Sequence, residues 1–185
     1  MIAQQTDEPQ FGCCVLSNVN TAIAERGYPG RYHARTNMQI APLLNANLKG
    51  QSLVELLELW DCDVVYDYDR LHENTPDAYW AALHELGVHF KFDERQVVST
   101  IFLYVRGDDN FSPFDLSSSD IEQFESIAAV ETFAQHNKLR SNTGTAEFLG
   151  ETRDWIKLNL DGYSTHYEFR GGILSLVTLS VEKPK

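Results

Sequence analysis

Carboxylate side chains between residues 61 and 125 are the groups in this sequence best placed to do chemistry. The chain of 185 residues has a formal net charge of −12, and this segment holds 15 acidic side chains against four basic ones. Dense carboxylates can bind a hard cation, exchange protons or attract a basic partner. Residues 61–77 lack the glycine-bearing loop spacing of a calcium site, so we predict no metal site. A negative field repels phosphate backbones, which predicts a basic protein partner and no direct contact with nucleic acid.

A cysteine and a histidine offer the alternative of nucleophilic catalysis. Gln10, Cys14 and His166 follow one another in the chain order of the papain-like cysteine hydrolases, in which an imidazole and a helix N-terminus activate a thiolate. The pair Cys13 and Cys14 lacks the glycine and aromatic residues that usually surround such a nucleophile. We therefore expect no enzymatic activity and no cofactor, and keep a cysteine hydrolase and a generic protein-interaction module as alternatives. The three cysteines form no even disulfide framework, so reduced thiols are expected.

Two histidines at matching places of a repeated segment are predicted to have structural roles. Residues 89–103 return, one residue shorter, as residues 166–179, and both copies pass from alternating aromatics through a turn into an apolar run. This pattern is typical of a β-hairpin. His89 and His166 are therefore expected to pack within strands rather than to bind a metal ion.

Helices and strands are predicted around the two hairpins from capping residues and from the period of the apolar side chains. Helices are expected at residues 17–26, from Ser52, from Thr75 to Gly87, and from Ser119 to about Gln135. Further strands are expected at residues 61–69 and 155–160, and loops at residues 106–118 and 142–150. The first of these loops carries Phe111 and Phe114, which we expect to be exposed.

This order of elements predicts an α+β fold of two helix-plus-antiparallel-strand repeats, with the helices packed on one face of an antiparallel sheet. We expect a single domain over residues 1–185. Its parts are an N-terminal helical region of unknown role (1–50), a first repeat (51–105), a connecting loop (106–118) and a second repeat (119–181). The sequence has no apolar run of the roughly 18 residues that span a membrane, and Asp7 and Glu8 stand where a signal peptide has basic residues. The predicted location is the cytoplasm, with no membrane partner.

A family resemblance rests on residues 87–93, 97–104, 107–111, 155–169 and 177–179. In these motifs the chain resembles bacterial immunity proteins encoded beside polymorphic toxins of contact-dependent inhibition or type VI secretion. Its tandem modules also resemble those of the beta-lactamase inhibitor protein and of small outer-membrane assembly lipoproteins. The chain departs from these relatives in residues 114–119, where they have a proline- and glycine-rich connection. The resemblance implies a cytosolic inhibitor of one toxin domain, without catalysis of its own.

The resemblance and the charge together predict the contact residues. An acidic surface would capture a toxin with a basic cleft, such as a nuclease, by mimicking phosphate. The first group of predicted contacts surrounds the strand at residues 61–69 and comprises Asp61, Asp63, Asp67, Asp69, Glu73 and Asp77, with Tyr66 and Tyr68 as aromatic anchors. The second group lies in the connecting loop and comprises Asp108, Asp109, Phe111, Phe114 and Asp115. The oligomeric state is left open.

Overall fold

A computed structural model of the chain describes residues 38–68, 75–108, 110–148 and 150–182, which lie in one compact unit, residues 35–185. Its helices are α1 (Gln51–Leu59) and α2 (Ile127–His136), with short 3-10 helices at Ala41–Leu43 and Leu116–Ser118. Its strands are β1 (Val64–Asp67), β2 (Ala78–Leu83), β3 (Val88–Phe92), β4 (Val98–Tyr104), β5 (Arg140–Phe148), β6 (Glu151–Asn159), β7 (Tyr163–Arg170) and β8 (Ile173–Val181). The predicted helix at residues 17–26 lies outside the described residues.

All eight strands form one antiparallel sheet in the order β1-β2-β3-β4-β8-β7-β6-β5. Strands account for 44% of the described residues and helices for 18%. The predicted fold of two helix-plus-strand repeats is therefore wrong, because the protein is a single continuous sheet that carries only two α-helices. The sheet is continuous because β4 pairs with β8 along the backbone, from Thr100 opposite Ser180 to Tyr104 opposite Leu176.

One face of the sheet forms the hydrophobic core. A single rung across the central strands places Ala81, Phe90, Ile101 and Leu179 side by side, and all four are fully buried. The same buried cluster contains Leu53 and Leu57 of α1 and Val130 and Ala134 of α2. We call this side of the sheet the helix face and the opposite side the open face. Because side chains alternate along a strand, Trp80, His89 and Phe102 belong to the open face.

The segment predicted as a helix from Thr75 to Gly87 contains β2 instead. Its apolar residues fit a helical period, and alanine and leucine favour a helix. In the structure the segment lies between β1 and β3 and pairs with both, from Tyr79 opposite Phe92 to Leu83 opposite Val88. A short apolar run is compatible with either state, and here the backbone hydrogen bonds to two neighbouring strands favour the strand.

Two further boundaries differ from the prediction. Residues 142–150, predicted as a loop, belong largely to β5, where Gly144 lies opposite Trp155 and a Cβ on Gly144 would be 2.5 Å from the indole ring. The small, polar residues of β5 form a strand because they pair with β6 along its whole length, from Arg140 opposite Asn159 to Phe148 opposite Glu151. Helix α2 begins at Ile127 rather than at Ser119, and Ser126 caps it by accepting the Ala129 N–H at 3.3 Å. The predicted helix from Ser52 and the two hairpins are confirmed.

Residues 38–50 contribute to the core without forming an α-helix. Ile40 and Leu44 are buried in the main cluster. The Asp120 carboxylate accepts the backbone N–H groups of Ile40 at 2.6 Å and Ala41 at 3.2 Å, which fixes the start of the first 3-10 helix. No helix among the described residues is both long enough and apolar enough to cross a membrane.

Candidate protein-binding surface

Strand β1 forms one edge of the sheet and carries most of the first group of predicted contacts. All four of its residues are exposed, and Asp61, Asp63 and Tyr68, which flank it, are exposed as well. The large side chains of β1 are open to solvent, with Val65 61% and Tyr66 46% exposed, and Tyr68 just after the strand is 50% exposed. Asp69 and Glu73 lie outside the described residues. The structure therefore places a short strand with exposed apolar side chains among exposed carboxylates.

The aromatic side chains of Tyr66 in β1 and of Tyr68 just after it lie on the same side of the strand. The Tyr66 ring stacks against Tyr79 of β2 with 4.8 Å between centroids and against Tyr68 with 5.8 Å. The Tyr66 hydroxyl donates a hydrogen bond to the Asp77 carboxylate, and this bond raises the pKa of Tyr66 to about 12. Asp77 thus orients the Tyr66 ring, so its place in the predicted site is to support an aromatic contact.

The aromatic residues of the second predicted group are not exposed. Phe111 is 8% exposed and stacks on Tyr104 of the open face, with ring centroids 4.0 Å apart and planes 4° from parallel. Phe114 is 4% exposed and belongs to the core cluster of the helix face. The prediction that these two rings are exposed is wrong, because the loop folds over the end of the sheet and buries one ring on each side.

The carboxylates of this loop shape its backbone. Asp108 Oδ1 accepts the N–H groups of Asn110 at 2.8 Å and Phe111 at 2.9 Å. Asp115 Oδ1 accepts the Ser117 N–H at 3.0 Å and caps the second 3-10 helix. Asp108 and Asp115 are both exposed, but removing either carboxylate would also disturb the loop. Asp109 lies outside the described residues.

The two groups of predicted contacts lie at different places along β2. Asp67 pairs with Ala78 at the start of β2. The loop is held at the other end, where the Ser112 N–H donates to the His84 carbonyl oxygen at 2.8 Å. Six residues of extended chain separate these points by about 20 Å. The edge around β1 is therefore the compact acidic and aromatic surface, and the loop is a separate feature.

The open face carries aromatic and histidine side chains that the sequence did not single out as a surface. His89 lies beside Trp80 at 4.9 Å and Phe102 at 6.0 Å, and His166 beside Trp155 at 5.3 Å between ring centroids. The two histidines share one rung, on which Phe102 and Thr178 stand between them. The prediction that both pack within strands is confirmed. In both copies the histidine lies diagonally across from a tryptophan on the preceding strand, and the sequence signal for this was the matching place of the two histidines in the repeat.

We expect the protein to lose stability as the pH falls through the range where free histidine titrates. Burial, and then the nearby His84, lowers the pKa of His89, and burial lowers the pKa of His166 against the opposing effect of Glu168. Unfolding restores the ordinary pKa of about 6.5, so below that pH the unfolded chain binds protons that the folded chain does not. Urea unfolding midpoints should be highest above about pH 6.5 and should fall towards pH 5.

The control for this dependence is the exposed His136 of α2. The double variant His89→Gln, His166→Gln should flatten the decline between about pH 7 and pH 5, whereas His136→Gln should leave it unchanged. If the unfolding midpoint fell by the same amount in the unchanged protein, the double variant and the His136 variant, other groups would be its cause.

Other polar groups of the described chain form a network at the end of the open face. Glu168 pairs with Arg153 at 3.4 Å and with Arg170 at 2.9 Å, and Arg170 also reaches Glu151 at 3.6 Å. Arg170 and Glu151 line a cavity of about 360 Å³ together with Tyr104, Arg106 and Asp108. The charges around this cavity are balanced, so it favours neither an anion nor a cation.

Cys62, the cysteine among the described residues, is disfavoured as a reactive thiolate. Burial, followed by the charge of Asp63, raises the pKa of Cys62, and its sulfur lies 3.4 Å from the Ala82 carbonyl oxygen. Cys14, on which the hydrolase alternative depends, lies outside the described residues. Within the described ranges no three side chains of the histidine, cysteine or acidic types cluster as a metal ion would need.

The fold and this surface define a single-sheet protein with an acidic, aromatic edge strand. Comparison of the chain with protein-family models, with curated proteins and with solved structures finds no match.

Proposed function

We propose that this chain is an immunity protein that binds and neutralises a bacterial toxin domain through the surface around β1. The observation that carries the proposal is the exposure of Asp63, Tyr66, Asp67 and Tyr68 at a sheet edge within the most acidic third of the sequence. Exposed carboxylates accelerate the encounter with a basic protein, and aromatic rings supply contact area at low entropic cost. Both are needed for rapid and tight capture.

A nuclease with a basic substrate cleft is the class of toxin that suits this surface. A cleft that binds phosphate groups carries lysine and arginine side chains, and these attract the carboxylates of an acidic protein. Carboxylates spaced along a strand would occupy such a cleft in place of the nucleic acid. The inhibitor acts by occupancy, so it needs no catalytic group of its own.

The test uses the toxin domain encoded by the neighbouring gene and a variant in which Asp61, Asp63 and Asp67 are each replaced by asparagine. Asparagine keeps the side-chain shape and tolerates the left-handed backbone of Asp61, whose φ is 46°. We expect the association rate at low ionic strength to fall by about tenfold or more, and protection of a host cell to weaken in parallel. Stopped-flow fluorescence and host survival are the measurements.

A matched control carries the same change of net charge elsewhere. Glu131 of α2, Glu147 of β5 and Glu182 after β8 are all exposed, and their replacement by glutamine should alter the association rate by less than about twofold. Equal effects of the two triple variants would show that only the net charge matters and would remove the β1 surface from the proposal. A chain that gives no protection against the neighbouring toxin would overturn the proposed function itself.

A further inference from the structure

We propose that β1 binds its partner by accepting an extended, lysine- or arginine-bearing segment as a further antiparallel strand of the sheet. The inference deepens the proposed function and rests on it for the identity of the partner. Strand β1 pairs with β2 on one side only, and among the described residues no strand lies beyond it. Alternate residues of β1 therefore direct their backbone N–H and C=O groups outward, where they can pair with another chain.

The two edges of the sheet differ in a way that selects β1. Strand β5, at the other edge, has side chains that are mostly small or polar, and its glycine is covered by Trp155. Strand β1 instead exposes Val64, Val65 and Tyr66, followed by Tyr68. Natural proteins avoid exposed hydrophobic residues on a free edge strand because such an edge pairs with other strands. An exposed apolar edge is therefore the feature expected of a strand that has a partner.

The alternation of side chains along β1 determines what that partner must look like. Tyr66 pairs with Tyr79, and the Tyr66 and Tyr68 rings stack, so Val64, Tyr66 and Tyr68 share the side of the helix face. Val65 pairs with Trp80, and Asp63, Val65 and Asp67 share the side of the open face. A strand added beside β1 would meet tyrosine rings on one side and carboxylates on the other. It should alternate apolar residues with lysine or arginine.

Charge argues against a second copy of this chain as the occupant. Pairing two β1 edges would bring the carboxylates of Asp63 and Asp67 from both copies close together, and like charges across strands are destabilising. The same carboxylates could act only as guards against unwanted pairing, as charged residues on edge strands often do. If the carboxylates only prevent pairing, a basic strand will not add to β1; if they select a basic partner, it will.

The probe is the synthetic peptide acetyl-Lys-Val-Lys-Val-Lys-Val-Lys-amide, added to the full, isotope-labelled chain at low ionic strength. We expect NMR shift changes at residues 63–68 and a slowing of amide exchange in β1 by about fivefold or more, because newly paired N–H groups are protected. The charge-matched peptide with proline in place of each valine cannot form a strand. It should bind at least about tenfold more weakly and leave exchange in β1 unchanged.

A charge-swapped variant tests selectivity. Asp63→Lys with Asp67→Lys alters only exposed side chains, and an unchanged unfolding midpoint confirms that the fold is kept. This variant should no longer bind the lysine peptide tightly. It should bind acetyl-Glu-Val-Glu-Val-Glu-Val-Glu-amide about tenfold more tightly than the lysine peptide, which reverses the preference of the unchanged protein.

Shift changes centred on β5, equal binding of the valine and proline peptides, or a dimer of the free chain in sedimentation would each overturn strand addition at β1. These results do not depend on a toxin. If the chain neutralised the toxin but the β1 amides showed no slowed exchange, only this inference would be removed. If the peptide added to β1 as a strand but the chain did not neutralise the toxin, only the proposed function would be removed.

Discussion

Replacing Gly87 with alanine is expected to destabilise the protein by about 3 kcal/mol. Gly87 lies in the turn between β2 and β3 with φ of 74°, a conformation that costs an L-residue about 1–2 kcal/mol. A Cβ at this position would lie 2.3 Å from the Ser112 carbonyl oxygen and 2.9 Å from the Phe114 nitrogen. Both are backbone atoms, so the loop that covers the end of the sheet would have to move. Urea unfolding at neutral pH measures the loss.

Gly162 is the matched control for Gly87. Its φ is 82°, in the turn between β6 and β7, but a Cβ there would have no atom within 4 Å. Gly162→Ala should therefore cost only the conformational part, about 1 kcal/mol. If the two variants lost the same stability, the close approach of the loop to Gly87 would not contribute to folding.

Replacing Phe90 with alanine is expected to cost about 4 kcal/mol, the usual loss for a fully buried phenylalanine. Phe90 is 0% exposed and lies in the middle of the helix face, with its ring 6.3 Å from that of Phe92. Truncation leaves a cavity that the rigid strands around it cannot close. Chemical denaturation is again the measurement, and a two-state transition with an unchanged slope would show that the fold persists.

Phe102 on the paired strand provides the comparison for Phe90. It belongs to the open face, is half-buried, and contacts Trp80 and His89 at ring-centroid distances of 6.3 and 6.0 Å. Phe102→Ala should cost about 1–2 kcal/mol, because water can replace the ring. A larger loss for Phe102 than for Phe90 would mean that the open face, and not the helix face, holds the main core.

The local patterns of the sequence predicted the elements that depend on near neighbours. The repeated pattern of alternating aromatics, a turn and an apolar run predicted the two hairpins, whose strands pair as β3 with β4 and β7 with β8. The strand predicted at residues 155–160 corresponds to the second half of β6. The helix at Ser52 was also found, although Gly50 rather than Ser52 precedes its first turn. In each case residues only a few positions apart decide the backbone conformation.

Elements that depend on distant pairing were predicted wrongly. The sequence of β2 suits a helix, and its backbone is extended because β1 and β3 supply hydrogen bonds on both sides. The small, polar residues of β5 were predicted to form a loop, because the sequence does not show that they pair with β6 or that Trp155 covers Gly144. Phe111 and Phe114 were expected to be exposed because they lie in a predicted surface loop, yet the loop folds back over Gly87 and buries both rings.

The features of the candidate surface also fall into those that local sequence determines and those that distant contacts determine. The sequence by itself determined the acidic segment, the aromatic residues within it and the alternation of side chains along β1, since these are properties of composition and of the two-residue period of a strand. Only the tertiary structure decided that β1 is an edge, that the loop carboxylates hold the loop in shape, and that β4 pairs with β8 to make one sheet. These outcomes depend on contacts between residues far apart in the chain, and no local pattern of residue types encodes which strand lies next to which.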